Sequence, residues 1–380
     1  MTPASVADYR DLARRKLPRM LFDYIDGGSY GEVTLGRNTA DFEAVALRQR
    51  VMRDMTGVET GVELQGRKWS MPIGLSPVGM GGLFARRGEV QAARAAAAAG
   101  VPFCLSTVGV CPVEEVANGA TAPWFQLYMI RDRGYVRALL ERVRAAGCPV
   151  LVLTVDLPTP GARRRDIRSG LTGRPDFAGL VRRACQGAMR PAWLWDVWLR
   201  GRPHRFGNVA DAIPAAHGVD DYWGWIGENF DPAVTWNDLD WIRQVWDRPI
   251  VVKGVLDAED SRDAARAGAQ GLVVSNHGGR QLDGAVSSIR ALPRIADAVG
   301  DELEVYLDGG VRSGLDVLKA LAHGARACFV GRPWAFALAA GGEVMVEKLL
   351  ETFRAELRTA MVLTGCASAS SVGHGLIDQA

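Results

Sequence analysis

The chain has 380 residues, 48% of them hydrophobic and 23% charged, with a formal net charge of +2. That is ordinary globular composition, and near-neutrality argues against a dedicated nucleic-acid binder. No run of about 18 uncharged apolar residues is present, so no helix is expected to span a membrane.

The first 65 residues read as a helical lead-in, ending its clearest segment at the glycine pair of "FDYIDGG" (22–28). The opening twenty residues have no apolar core of signal-peptide type, which points to a cytoplasmic protein. From residue 71 the pattern alternates. Short apolar runs give way to Gly, Ser, Thr, Asp and other polar residues, and eight candidate strands follow: 71–79, 102–109, 123–128, 149–156, 249–255, 271–278, 304–311 and 327–333. Helical segments lie between most of them, at 88–99, 133–146, 235–246, 258–267, 291–299 and 314–322, and Thr235 reads as a cap. Continuous apolar strands alternating with helices predict a parallel sheet covered by helices. Eight units predict a closed (β/α)8 TIM barrel at 66–380, within a single domain of 1–380. A doubly wound sheet is the alternative, but no GxGxxG follows the first strand. The six cysteines form no CxxC pair, so a zinc site is not expected and they read as small buried hydrophobes of a reducing compartment.

A long insertion, 157–232, follows the fourth strand. From Arg163 to Arg205 it carries eleven arginines, no lysines and three aspartates, with Trp193, Trp195 and Trp198 among them. Cationic aromatic segments suit a membrane interface, and equally a soluble lid whose tryptophans pack on the barrel.

Active groups of such a barrel gather at the C-terminal strand ends. Read in order, these ends carry Ser76–Gly79, Ser106, Gln126 with Tyr128, Thr154 with Asp156, Lys253, His277 with Arg280, Asp308–Arg312, and Gly331 with Arg332. Each has a bland reading alone, as helix cap, ion pair or turn; together they fill one rim. Glycine turns beside Arg312 and Arg332, after strands seven and eight, suit a phosphate-bearing cofactor. His277 suits a base with Asp156 orienting it, and Arg163 with Arg280 suits a bidentate carboxylate clamp. Lys253 suits either a Schiff base, as in an aldolase, or a cation beside a cofactor ring.

These residues also carry a resemblance. "SNHGGRQLDG" (275–284) resembles the motif of the FMN-dependent L-2-hydroxy acid dehydrogenase/oxidase family. "FDYIDGG", "SPVG" (76–79), "LSTV" (105–108), "WFQLY" (124–128), "LTVDLPTPGARRRD" (153–166), "VVKGV" (251–255), "DGGVRSGLDV" (308–317) and "VGRP" (330–333) follow in family order. "ARRGEVQAA" (85–93) and "GENFDP" (227–232) look most like the family's bacterial respiratory L-lactate dehydrogenases. The resemblance implies FMN, held by Pro77, Val78, Gly79, Ser106, Gln126, Thr154 and Lys253. It implies that the phosphate lies on Asp308, Gly309, Gly310, Arg312, Gly331 and Arg332. Tyr24, Tyr128, Arg163 and Arg280 would bind the substrate, and His277 would accept the proton, supported by Asp156. The implied reaction is oxidation of L-lactate to pyruvate, with electrons passed to a quinone or other acceptor. Another L-2-hydroxy acid such as mandelate or glycolate, or O2 as oxidant, is the alternative: the motif does not fix the apolar pocket residues that choose the substrate, and Gly79, where many oxidases carry alanine, alters the space near the flavin that bears on the acceptor. A homotetramer and peripheral membrane contact through 175–205 complete the expectation.

Overall fold

A computed structural model describes residues 2–172, 176–212 and 219–378, the side chains of 219–223 excepted. Eight parallel strands form the core: β1 (Ile73–Leu75), β2 (Cys104–Ser106), β3 (Trp124–Tyr128), β4 (Leu151–Thr154), β5 (Ile250–Val255), β6 (Gly271–Ser275), β7 (Glu304–Asp308) and β8 (Ala327–Val330). Each pairs with its chain neighbour, and β8 pairs with β1. A parallel bridge between Leu75 and Phe103 closes the ring. The strands are nearly all buried because helices cover the outside and side chains fill the inside, as a (β/α)8 barrel requires.

The lead-in is more than helical. Helices α1 (Val6–Lys16), α2 (Arg19–Asp26) and α3 (Val33–Glu43) are followed by a hairpin of Val62–Leu64 and Arg67–Trp69. Ser5 caps α1 in a reciprocal box with Asp8. The hairpin lies against the barrel interior. Leu64 belongs to the same buried cluster as Trp124, Tyr306 and Phe329, and Gln65 Nε2 donates to Tyr306 Oη at 2.9 Å. This hairpin has too few apolar residues for its alternation to be read in sequence. Thr235 is not a helix cap: the helix spans Asp238–Arg243, and Asp238 instead accepts the Thr235 amide at 2.8 Å.

The insertion contains helices Arg164–Ser169 and Phe177–Ala188, a π-helical turn at Leu194–Leu199 and a helix at Val219–Asn229. Trp193 is buried, and its indole donates to Leu83 O at 2.8 Å. Trp195 is 61% exposed and Phe177 83% exposed. Leu180, Val181, Met189 and Leu199 are exposed too, as are Arg182 and Arg200. One tryptophan therefore packs on the barrel as a lid would, while the outer face stays apolar and cationic.

Candidate active site

A cavity of about 1090 Å³, its mouth included, opens at the C-terminal ends of the strands. Tyr24, Pro77, Val78, Gly79, Tyr128, Thr154, Arg163, Lys253, His277 and Arg280 line it. Asp308, Gly309, Gly310, Arg312, Gly331 and Arg332 complete the wall. The eight strand ends thus converge on one space. Three of the residues singled out from sequence lie behind that surface. Asp156 sits behind His277, and Ser106 donates to Gln126 Oε1 at 3.0 Å beneath it.

His277 Nδ1 lies 2.9 Å from Asp156 Oδ1. A carboxylate there accepts a hydrogen bond from Nδ1–H, which fixes the tautomer and leaves Nε2 as the basic nitrogen. Nε2 lies 3.5 Å from Tyr128 Oη. Burial pushes the imidazole below its usual pKa, and the nearby Lys253 and Arg163 act in the same direction, against Asp156. Burial alone would raise the Asp156 carboxyl, but His277 and Lys253 hold it below the usual range. A neutral base beside an anion is the result. Gly254 makes the approach feasible: with φ 110°, it has no Cβ, and one would stand 2.5 Å from Asp156 Cγ. Burial and Asp156 both push the Tyr128 phenol upward, so it keeps its proton and can donate.

Lys253 Nζ lies 2.7 Å from Asp308 Oδ2 and donates to Ser275 Oγ at 3.0 Å. Burial would depress this amine, but Asp308 and Asp156 more than offset it. A lysine fixed as a cation is a poor Schiff-base nucleophile, which removes the physical support for an aldolase. Asp308 Oδ2 also accepts from Ser76 Oγ at 2.9 Å. The carboxylate of Asp308 therefore faces Lys253 and Ser76, away from any phosphate role, and only its backbone leads into the glycine turn.

Four arginines surround the cavity. Among the described residues, none of Arg163, Arg280, Arg312 and Arg332 forms an ion pair with a carboxylate. Arg332 donates to Gly278 O at 2.9 Å and Gly27 O at 2.8 Å, and Arg312 to Val311 O at 2.9 Å. Arg280 donates to Tyr24 O and lies over the Tyr24 ring, 4.5 Å from its centroid. Arg163 Nε, Arg280 Nη2 and Arg332 Nε are buried without hydrogen-bond partners. Burial lowers the pKa of Arg163, with Arg280 adding to the effect. Burial does the same to Arg332, joined by Arg280 and Arg312. Uncompensated buried cations are costly, so the cavity is built to receive anions.

The lead-in supplies Tyr24. Asp26, at the end of α2, accepts from Arg10 at 2.5 Å and from Arg165 at 2.7 Å, which pins that helix over the cavity mouth. Sequence reading did not single out these anchors, and it gave no role to Asn276, Gln281 and Asp283 of the His277 segment. Gln281 Nε2 donates to Asp156 O at 2.8 Å, and Asp283 accepts the Thr34 amide at 2.8 Å.

The sequence profile described as FMN-dependent dehydrogenase matches residues 13–379. The chain belongs to the FMN-dependent dehydrogenases. It is 57% identical over 378 residues to an L-lactate dehydrogenase of Caulobacter vibrioides (strain NA1000 / CB15N), covering 99% of this chain and 98% of that protein. It is 53% identical to an L-lactate dehydrogenase of Alcaligenes faecalis, covering 99% of each. A solved structure of mandelate oxidase with (S)-4-hydroxymandelic acid superposes with a TM-score of 0.85 at 40% identity, covering 99% of this chain and 98% of that one.

The cavity fits the cofactor of this family. Gln126 Nε2 and Thr154 Oγ1 are buried without partners, on the strands that would flank a polar ring. Gly309 and Gly310 have φ of 116° and 91°, so their amides are free to turn toward a phosphate beside Arg312 and Arg332. The enzyme is thus an FMN-dependent oxidoreductase acting on a small hydroxy acid.

Proposed function

We propose that the enzyme oxidises L-lactate to pyruvate. The observation that carries this is the Asp156–His277 dyad facing two unpaired arginines in one cavity. The names of the relatives support lactate as the hydroxy acid.

In this reading Arg163 and Arg280 hold the substrate carboxylate, and Tyr24 and Tyr128 contact its hydroxyl side. His277 Nε2 accepts the proton, and the Asp156 carboxylate stabilises the imidazolium. FMN, when bound, supplies a two-electron acceptor. Pro77, Val78, Gly79, Ser106, Gln126 and Thr154 hold its ring, and Lys253 places a positive charge beside it. Gly309, Gly310, Arg312, Gly331 and Arg332 hold its phosphate. The test is the visible spectrum of the purified protein followed by anaerobic L-lactate. A yellow sample that bleaches supports the reading; one that bleaches only with mandelate or glycolate overturns lactate. His277→Gln tests the base, because bleaching at the wild-type rate would remove His277 from that role.

The acceptor we propose is a membrane quinone, reached by a peripheral protein on the cytoplasmic face. The exposed apolar and arginine side chains of 177–200 support contact with an anionic bilayer. Co-sedimentation with anionic vesicles, lost on deleting 175–205, is the expected result; equal binding by the deletion rules it out. The alternative, an O2-using oxidase, is favoured by the mandelate oxidase likeness. Stoichiometric hydrogen peroxide during turnover would establish it. A homotetramer is the assembly we propose, checked by light scattering.

A further inference from the structure

The turn that carries the base has an uncommon backbone. His277, Gly278 and Gly279 occupy the left-handed region in succession, with φ of 57°, 64° and 73°. Glycine adopts this freely and histidine does not, so the turn depends on its surroundings to hold it. Two side chains hold it from within. Ser275 Oγ accepts the His277 amide at 3.0 Å, and Asn276 Oδ1 accepts the Gly279 amide at 3.0 Å.

Asn276 is in turn held by Asn38 of α3. Their amides pair reciprocally: Asn38 Nδ2 donates to Asn276 Oδ1 at 2.8 Å, and Asn276 Nδ2 donates to Asn38 Oδ1 at 2.8 Å. Asn276 Nδ2 also donates to Val286 O at 3.0 Å, and the Ser288 amide donates to Asn38 Oδ1 at 3.3 Å. Asn38 is 2% exposed and Asn276 5%, and neither lines the cavity.

Asn38 also meets the glycine turn after β7. Its side chain reaches that turn through Ser288, whose amide donates to Asn38 Oδ1 and whose Oγ donates to Asp308 O at 2.8 Å, while Gly310 packs closely on the Asn38 main chain, where a Cβ would clash with Asn38 O. One residue of the lead-in therefore braces two turns that the chain supplies more than 230 positions later.

We propose that Asn38 is a positioning residue that locks the base-bearing turn and the phosphate turn into one unit. Phosphate held at Gly309–Gly310 then steadies His277, and loss of Asn38 loosens both. This rests on the roles given above to His277 and to the glycine turn.

The test compares Asn38→Ala and Asn38→Asp with Thr364→Val. Thr364 is also buried, but its hydroxyl bonds only Ala360 O and Met361 O within its own helix. FMN affinity is read from the fluorescence of released flavin, alongside kcat with L-lactate, the pH profile of kcat/KM and the thermal midpoint. Asn38→Ala removes one of the two partners of each Asn276 amide atom and the acceptor that the Ser288 amide uses, so FMN binding weakens and kcat falls, each by about tenfold or more. The acid limb of the pH profile moves as well. Asn38→Asp keeps an acceptor for Asn276 and falls between. Thr364→Val lowers the thermal midpoint alone. An Asn38→Ala enzyme that loses thermal stability but keeps wild-type FMN affinity, kcat and pH profile overturns the proposal. If that variant does not fold, Asn38→Asp decides on the same readings, and wild-type values there overturn it. The two readings fail separately: His277→Gln with full activity discredits the base, whereas the effect of Asn38 on FMN affinity does not depend on it.

Discussion

Replacing Asp156 by asparagine tests the electrostatic core of the site. Asparagine keeps an oxygen that can accept the Nδ1 proton of His277 and removes only the charge. The two groups stand 2.9 Å apart. At an effective dielectric of about 20, unit charges at that separation interact by about 6 kcal/mol, which is a ceiling on what the imidazolium loses. The retained hydrogen bond returns part of it, so the expected loss in kcat is about 10²–10⁴-fold. The direction of the pH response follows from the surroundings. Burial, Lys253 and Arg163 push His277 down, while Asp156 pulls it up. Without that carboxylate the His277 pKa drops further, so the acid limb of kcat/KM moves to lower pH as the plateau falls. Anaerobic stopped-flow bleaching with L-lactate measures both. An unchanged plateau, or an acid limb displaced to higher pH, would refute the reasoning.

Three further outcomes are expected. Arg163→Met and Arg280→Met each raise KM for L-lactate by about 10–100-fold, the worth of a charge-assisted contact, with FMN content unchanged; a KM within twofold of wild type removes that arginine from the clamp. Lys253→Met strands the buried Asp308 carboxylate and destabilises the protein by about 3–5 kcal/mol. The Lys253→Met/Asp308→Asn double variant regains much of this, and strictly additive chemical-denaturation energies would show that the pair is not coupled. Burial holds His204, His277 and His323 below the usual 6.5. The unfolded chain therefore binds more protons than the folded one below about pH 6.5, and stability falls as pH drops through that region. His323→Phe flattens the slope of thermal midpoint against pH; a steeper slope contradicts this account.

The barrel was legible because its signals are local. Each strand is a short apolar run that must be buried on both faces, and each ends where polarity begins. The rim residues followed from the same pattern, since the fold places strand ends together whatever lies between them. The hairpin at 62–69 was not legible, because three-residue strands carry almost no periodicity. Asn38, Asp26 and Asp283 were given no role for another reason: they look like ordinary helix or turn residues. Their partners are fixed only when the lead-in folds over the barrel mouth, a tertiary fact with no local trace. Asp308 shows the same limit. The resemblance placed it at the phosphate without a partner for its side chain, which pairs with Lys253 on a strand fifty residues earlier in the chain. In the insertion, the composition did not tell which tryptophan packs inward, as Trp193 does, and which is turned out, as Trp195 is.

The hairpin that seals the lower end of the barrel also settles the traffic. With Leu64 packed among Trp124, Tyr306 and Phe329, the described residues fill that end of the strand bundle. The way in for cofactor, hydroxy acid and oxo acid is then the opening of the cavity that Tyr24 lines. Whatever collects the electrons must either wait until the oxo acid has vacated that doorway or draw them through the wall beside it. The first route makes the oxo acid a competitor of the acceptor, and the second leaves the two indifferent to each other. A plug on one face of the molecule thereby decides which inhibition patterns its steady-state kinetics are able to display.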